Sequence, residues 1–191
     1  MEFEVTQHEQ TPKTPPIDDV LGFIELYKKE LDAFKKYAED TKTCIGLAAN
    51  QCTLNKERFN VRVVAIKDIK TRECLIAVNP KITKYYGVKR QKAEGCLTWG
   101  QNNNGYWCII ADRYHSVDVE YYSMDGELKK ETHKGFQSQV WQHELNHING
   151  VEEYATNNSF ILDEPIDKKT QRNELCPCKS GLKYKKCCID D

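Results

Sequence analysis

The chain has 191 residues, enough for one domain with a full hydrophobic core and a small appendage, but not for two ordinary domains. Its 28 basic and 29 acidic residues leave a net charge of −1, which excludes a surface built as a whole to attract nucleic acid or an anionic membrane. No apolar run approaches the roughly 18 residues needed to cross a bilayer, the N-terminal stretch is acidic, and nine cysteines without a secretory leader read as thiols and metal ligands of a reducing, cytoplasmic compartment.

Residues 1–16 are expected as a flexible lead-in, because the polar stretch 6–16 carries three of the six prolines. From Ile17 the apolar positions Val20, Leu21, Ile24, Tyr27, Leu31 and Phe34 recur at helical spacing. Asp18 and Asp19 suit the positive end of a helix dipole, so one amphipathic helix is predicted to about Tyr37. Strands follow at 61–67, 74–78 and 106–110, where β-branched and aromatic residues run between turn signals. VDVEYY at 117–122, the Asp-Gly turn within 123–126 and the following ELKKETH make a hairpin. Residues 136–149 return to helical spacing and end at Gly150, a natural left-handed cap. Strands flanked by helices at both ends give an α+β main domain over 17–162. The polar segment 163–174 reads as a linker to a cysteine-rich tail, 175–191.

The chemistry concentrates in QHELNHING. His143 and His147 stand one turn apart on a helix, so both rings share a face and can share a metal. Glu144 lies about a hundred degrees further round the helix. From there its carboxylate can reach a water on that metal without being a ligand, as a general base must. The bland reading is a chance grouping on a solvated face. Against it, Phe136 and Val140 continue the histidine face while Trp141, Leu145 and Ile148 form a second apolar stripe, which marks a helix buried on more than one side. A catalytic site commonly has a third protein ligand. AEGCLTWG offers Cys96 beside Gly95, although spacing alone does not choose it over Cys44, Cys52, Cys74 or Cys108.

Three segments in order, IGLAANQ at 45–51, EGCLT at 94–98 and QHELNH at 142–147, resemble the signature motifs of the peptide deformylases, and VNPKI at 78–82 is similar to a connecting strand of that family. The resemblance covers roughly residues 17–160 and implies mixed antiparallel sheets around a central metal-binding helix. It implies Cys96, His143 and His147 as ligands of one divalent ion, Fe2+ in the cell, with Zn2+, Ni2+ or Co2+ as possible substitutes. Glu144 would be the acid/base, and Gln51 with the backbone N–H of Leu97 would hold the oxyanion. The implied reaction is removal of the N-formyl group from N-formylmethionyl nascent peptides, releasing formate, with metal-bound water as nucleophile. Gly46 would let a peptide backbone approach as an added strand. Gly95, Gln139 and Val140 join it as candidate substrate contacts. Cys44, Thr98 and Asn146 stand where the family usually has glycine, serine and aspartate, and Gln139 stands where it tends to place an apolar residue facing the substrate side chain. Two other functions compete: a related metalloamidase with another acyl-peptide substrate, and a non-catalytic metal-binding adaptor.

The tail has its own signature. Cys176, Cys178, Cys187 and Cys188 form a C-x-C-x8-C-C pattern that resembles the SEC-C zinc motif. Four thiolates close a tetrahedral structural Zn2+ site, and with so few apolar residues the metal would have to supply the fold. Lys179, Lys183, Lys185 and Lys186 would line a basic knob suited to phosphates, which implies a contact with the ribosome but no sequence-specific nucleic-acid binding and no membrane.

Overall fold

The computed structural model describes residues 1–6, 9–68, 71, 73–98, 101–102, 105–151, 159–162, 171–175 and 183–186. The apolar run near Val63 explains the architecture. β5 (Val63–Lys67) is buried along its whole length, which requires cover on both faces. Val63 and Ala65 face one core with Leu31, Phe34 and Ala38 of α2 (Lys28–Asp40). Val64 and Ile66 face the other core with Val140, Trp141, Leu145 and Ile148 of α3 (Gly135–Ile148). The sheet between these helices runs from β10 (Ser159–Leu162) at one edge through β8 (Gly105–Tyr122), β6 (Cys74–Gly95) and β5 to β2 (Gly46–Ala48) at the other. β9 (Leu128–Lys134) and the short β7 (Gln101–Asn102) also pair with β8. All pairings are antiparallel. The α+β architecture expected from strands flanked by helices at both ends is therefore the one found.

Three local expectations change. The helix expected over 17–37 is two helices, α1 (Val20–Leu26) and α2, broken at Tyr27. Asp19 caps α1 by accepting from Gly22 N at 3.0 Å. Runs 106–110 and 117–122 belong to one 18-residue strand, β8, which lies against the 22-residue β6 (Cys74–Gly95). Register shifts between Val78 and Lys81, Ile82 and Lys84, and Tyr86 and Lys89 coil that ribbon, so no regular alternation shows in the sequence between the runs.

The third change concerns the lead-in, part of which is tied down. β1 (Phe3–Val5) pairs with β3 (Cys52–Leu54), which pairs with β4 (Glu57–Arg58). Phe3 packs on Phe34 and Phe59 at centroid distances of 5.5 and 5.4 Å. Further on, Thr14 N and Oγ1 both donate to Ile148 O, at 2.9 and 3.0 Å, and Thr11 and Thr14 are buried. The end of α3 leaves carbonyls without intrahelical partners, and a polar extended strap satisfies them. Gly150, at φ +66°, closes α3 as expected, its N–H donating to His147 O at 3.0 Å.

The expected linker at 163–174 and the tail fall largely outside the described residues. Of the tail, Leu175 pairs with Lys183 in a single antiparallel bridge, and Tyr184 N donates to Glu174 O at 2.7 Å. Residues 99, 100, 103 and 104 also lie outside the described residues. No helix among the described residues is long and apolar enough to cross a membrane.

Candidate metal centre

α3 reaches its position through Gln142. The side chain donates from Nε2 to Tyr114 O at 2.9 Å and accepts at Oε1 from Tyr114 N at 3.0 Å. It thus pairs with β8 just beyond the Ser116–Lys134 pair that ends β9. Held this way, the helix aims His143 and His147 at the end of β6, where Cys96 follows Gly95. The two Nε2 atoms are 3.3 Å apart and Cys96 Sγ is 3.4 Å from His147 Nε2. Among the described residues these three form the one group of His, Cys, Asp or Glu that could hold a metal, with ligand atoms all within 4.8 Å of one another. Cys44, Cys52 and Cys74 are buried free thiols outside it. The side chain of Cys108 lies outside the described residues.

A tetrahedral ion with about 2.0–2.1 Å bonds to nitrogen and about 2.3 Å to sulfur spaces neighbouring donors roughly 3.3–3.6 Å apart. The separations of 3.3 and 3.4 Å fit that arrangement. Ring orientation fits as well. His143 Nδ1 faces Glu94 Oε2 at 2.9 Å, and His147 Nδ1 faces Thr11 Oγ1 at 3.5 Å. Partners on Nδ1 favour the tautomer that leaves Nε2 as a lone-pair donor.

Charge follows from burial and contact. Glu94 is buried, which alone would raise its pKa, but hydrogen bonds from His143 and Arg113 outweigh burial and hold it at about 2. Arg113 grips it bidentately, Nε to Oε1 and Nη2 to Oε2, both at 2.7 Å. Burial would likewise raise Cys96, but the charge of His147 and hydrogen bonds from both imidazoles hold the thiol well below its usual range. A thiolate among imidazole nitrogens is a donor set for a cation.

Glu144 completes the centre. Burial pushes its carboxyl up to about 7, against the lowering effect of His143 and His147. Its buried Oε2 has no hydrogen-bond partner among the described residues, so a polar atom awaits a substrate, water or ion there. Its Oε1 lies over Gly46: a Cβ built on that glycine would stand 2.4 Å from the oxygen. Gly46 therefore makes room for the carboxylate, whatever else it does for a peptide.

Gln51 ends the 3-10 turn Ala49–Gln51 that follows β2. Its Oε1 accepts from Ala48 N at 2.8 Å, and its Nε2 donates to Thr98 Oγ1 at 2.9 Å and to Cys96 Sγ at 3.5 Å. Gln139 and Val140 are buried on α3, about one turn before His143. Gly95 is exposed at the end of β6, and the side chain of Leu97 packs into the core on the α2 side. Cys176, Cys178, Cys187 and Cys188 lie outside the described residues.

Sequence reasoning missed the supports. Glu94 and Gln142 sit inside the quoted motifs beside the ligands, so adjacency was their only signal. Arg113 and Thr11 gave none. Asn50, which donates from Nδ2 to both Pro12 O and His147 O at 2.8 and 2.6 Å, had only its place in IGLAANQ.

Comparison with known proteins agrees with this geometry. The Polypeptide deformylase family model matches residues 6–158, and the SEC-C motif matches residues 172–189. A peptide deformylase of Enterococcus faecalis is 31% identical over 156 residues, covering 78% of this chain and 80% of that protein. Peptide deformylase 2 of Bacillus anthracis is 36% identical over 141 residues, covering 72% and 71%. The solved structure of a probable peptide deformylase from Synechococcus phage S-SSM7 superposes with a TM-score of 0.58 at 25% identity, covering 78% of this chain and 95% of that one. With most of its length matched and its motif residues gathered at one centre, the chain belongs to the polypeptide deformylase family, a family of metal-dependent enzymes.

Proposed function

We infer that this chain hydrolyses the N-formyl group of N-formylmethionyl nascent peptides, releasing formate, with Cys96, His143 and His147 holding one divalent ion and Glu144 as acid/base. The observation that carries the reading is the buried Oε2 of Glu144, without a hydrogen-bond partner among the described residues, beside a thiolate and two imidazoles at tetrahedral spacing. An ion held there would lend Lewis acidity to water and to the formyl carbonyl. Glu144, raised to about 7, has the proton affinity to take a proton from the attacking water and return it to the departing amine. Gln51 offers an amide hydrogen toward the carbonyl oxygen as charge builds on it, joined by the backbone N–H of Leu97. One such donor is worth ~2.7 to 4 kcal/mol of barrier. Glu94, locked by Arg113, orients His143 and strengthens it as a donor.

Fe2+ is the ion assigned in the cell, and the same donors suit Zn2+, Ni2+ or Co2+. The edge strand β2 offers the line along which a peptide adds, beside Gly46 and near Gln139 and Val140. Cytoplasmic residence is the setting for this chemistry, in keeping with reduced thiols. The SEC-C segment takes a Zn2+ on Cys176, Cys178, Cys187 and Cys188, and its lysines dock on the ribosome; unchanged low-salt co-sedimentation after deletion of 163–191 would remove that role.

The test is formate release from formyl-Met-Ala-Ser by oxygen-protected, iron-loaded protein, with Glu144→Ala as control. Release abolished by the control supports the reading, and no release from the loaded wild type overturns it. One observation favours a neighbouring reading: buried Gln139 puts an amide about one turn from His143, where a methionine side chain meets no polar partner. Comparing kcat/KM on formyl-Met, formyl-Leu and formyl-Gln peptides separates the two, since only the second reading favours formyl-Gln. The adaptor reading has no observation in its support.

A further inference from the structure

We propose that Thr98 is the positioning residue for Gln51, selecting which amide hydrogen is presented to the reacting carbonyl; the proposal rests on the deformylase reading. Three contacts carry it. Gln51 Oε1 is fixed by Ala48 N at 2.8 Å, which decides that the oxygen end of the amide faces the backbone of the turn. One hydrogen of Nε2 is then taken by Thr98 Oγ1 at 2.9 Å. The second is donated to Cys96 Sγ at 3.5 Å, which aims it at the reaction centre, and from there it can turn to the carbonyl oxygen of a bound peptide. Gln51 is 2% exposed and Thr98 is fully buried, so water does not compete for either group.

A glutamine side chain has three rotatable bonds, and a single backbone contact does not stop its amide from swinging about the Oε1 anchor. The Thr98 hydroxyl is the second anchor. It belongs to a different part of the fold, the turn after β6, whereas Gln51 closes the turn after β2. The contact therefore ties the donor to the chain segment that also presents Cys96. A donor aimed in advance costs no reorganisation when charge develops on the oxygen, which is where such hydrogen bonds gain their catalytic value. The competing account is that Thr98 merely satisfies a buried amide, and it predicts a loss of stability with no selective loss of turnover.

The test uses the zinc-loaded full-length chain as wild type, Thr98→Val, Thr98→Ala and Thr98→Ser. The Gln51 side-chain amide is assigned in a 15N correlation spectrum from the signal pair missing in Gln51→Glu. The proposal expects both non-accepting variants to shift that pair and lose its protection from solvent exchange, with Thr98→Ser holding it in place. On formyl-Met-Ala-Ser, kcat should fall about ten- to a hundredfold in Thr98→Val and Thr98→Ala, with KM changed less than about threefold and metal content per chain unchanged. Thr98→Ser should recover kcat to within about threefold of wild type. Thr98→Ala stands in if the valine variant does not fold. An unmoved amide pair, an unchanged kcat, or loss of metal in step with kcat overturns the proposal. Should the wild type release no formate, the functional reading fails by itself, and the amide signals still decide whether Thr98 positions Gln51.

Discussion

At the scale of single residues, Gly46 carries a requirement its motif does not announce. The sequence offers it as a place for a peptide backbone to approach. In the structure the space beside its Cα is filled by the carboxylate of Glu144, 2.4 to 2.8 Å from where a Cβ would stand. Gly46→Ala is expected to lower kcat by about a hundredfold or more by displacing the acid/base, with metal content and KM nearly unchanged. Steady-state kinetics with metal analysis checks this, and a raised KM at intact kcat would return the glycine to the peptide. The thiols give a second prediction. Burial pushes Cys52 up, and burial with Glu39 nearby pushes Cys74 to about 11, so both stay protonated and unreactive at pH 8. Cys96 in metal-free protein is held well below its usual value and is therefore thiolate. Iodoacetamide at pH 8 should label Cys96 ahead of Cys44, Cys52 and Cys74, and added zinc should suppress that labelling, as peptide mass mapping would show. Equal labelling with and without zinc would count against Cys96 as a ligand.

At the scale of elements, the readable parts were those with a period or a cap. α3 was legible because its apolar stripes and Gly150 both mark it, and the β8–β9 hairpin because Asp125-Gly126 sets the turn, with Gly126 at φ +79°. The break at Tyr27 was not, since the apolar spacing runs through it without a glycine or proline. The strap is not legible for a physical reason: prolines and threonines look like disorder when their partners are carbonyls more than a hundred residues away in the chain. Asn50 fastens that strap, bonding Pro12 O and His147 O from one amide. Asn50→Ala leaves two carbonyls without that donor and should cost about 2 kcal/mol. Limited trypsin digestion gives the local readout. Lys13 packs against Gly150 with its backbone nitrogen 3.0 Å from where a Cβ would stand, and the wild type should resist cleavage there. Asn50→Ala should be cut after Lys13 well before it unfolds globally. Rapid cleavage of the wild type at the same bond would show that the strap does not hold in solution.

At the scale of the whole molecule, two metal centres of opposite design would share one chain. The first gathers three donors beside a buried carboxylate oxygen that has no hydrogen-bond partner among the described residues, an arrangement that would keep room for substrate. The second, within the segment matched by the SEC-C motif, has four cysteines and few apolar residues with which to build a core. The described pieces of that segment bond to one another, through the Leu175–Lys183 bridge and the Tyr184 N to Glu174 O and Lys185 N to Arg172 O hydrogen bonds. An ion held by such a unit would be gained or lost without entering the chemistry at Cys96. Purified protein loaded with zinc is therefore expected to hold about two ions per chain, one for each donor set. Cys187→Ser with Cys188→Ser should reduce this to about one while formate release stays at the wild-type rate, because closed thiolate sites depend on the full ligand count. Cys96→Ser should lower the same number from the other side and abolish turnover. Metal analysis after gel filtration, paired with the formate assay, reads both. Loss of turnover in the tail variant would mean that the zinc unit braces the catalytic domain, and an unchanged ion count would mean that those cysteines hold no metal.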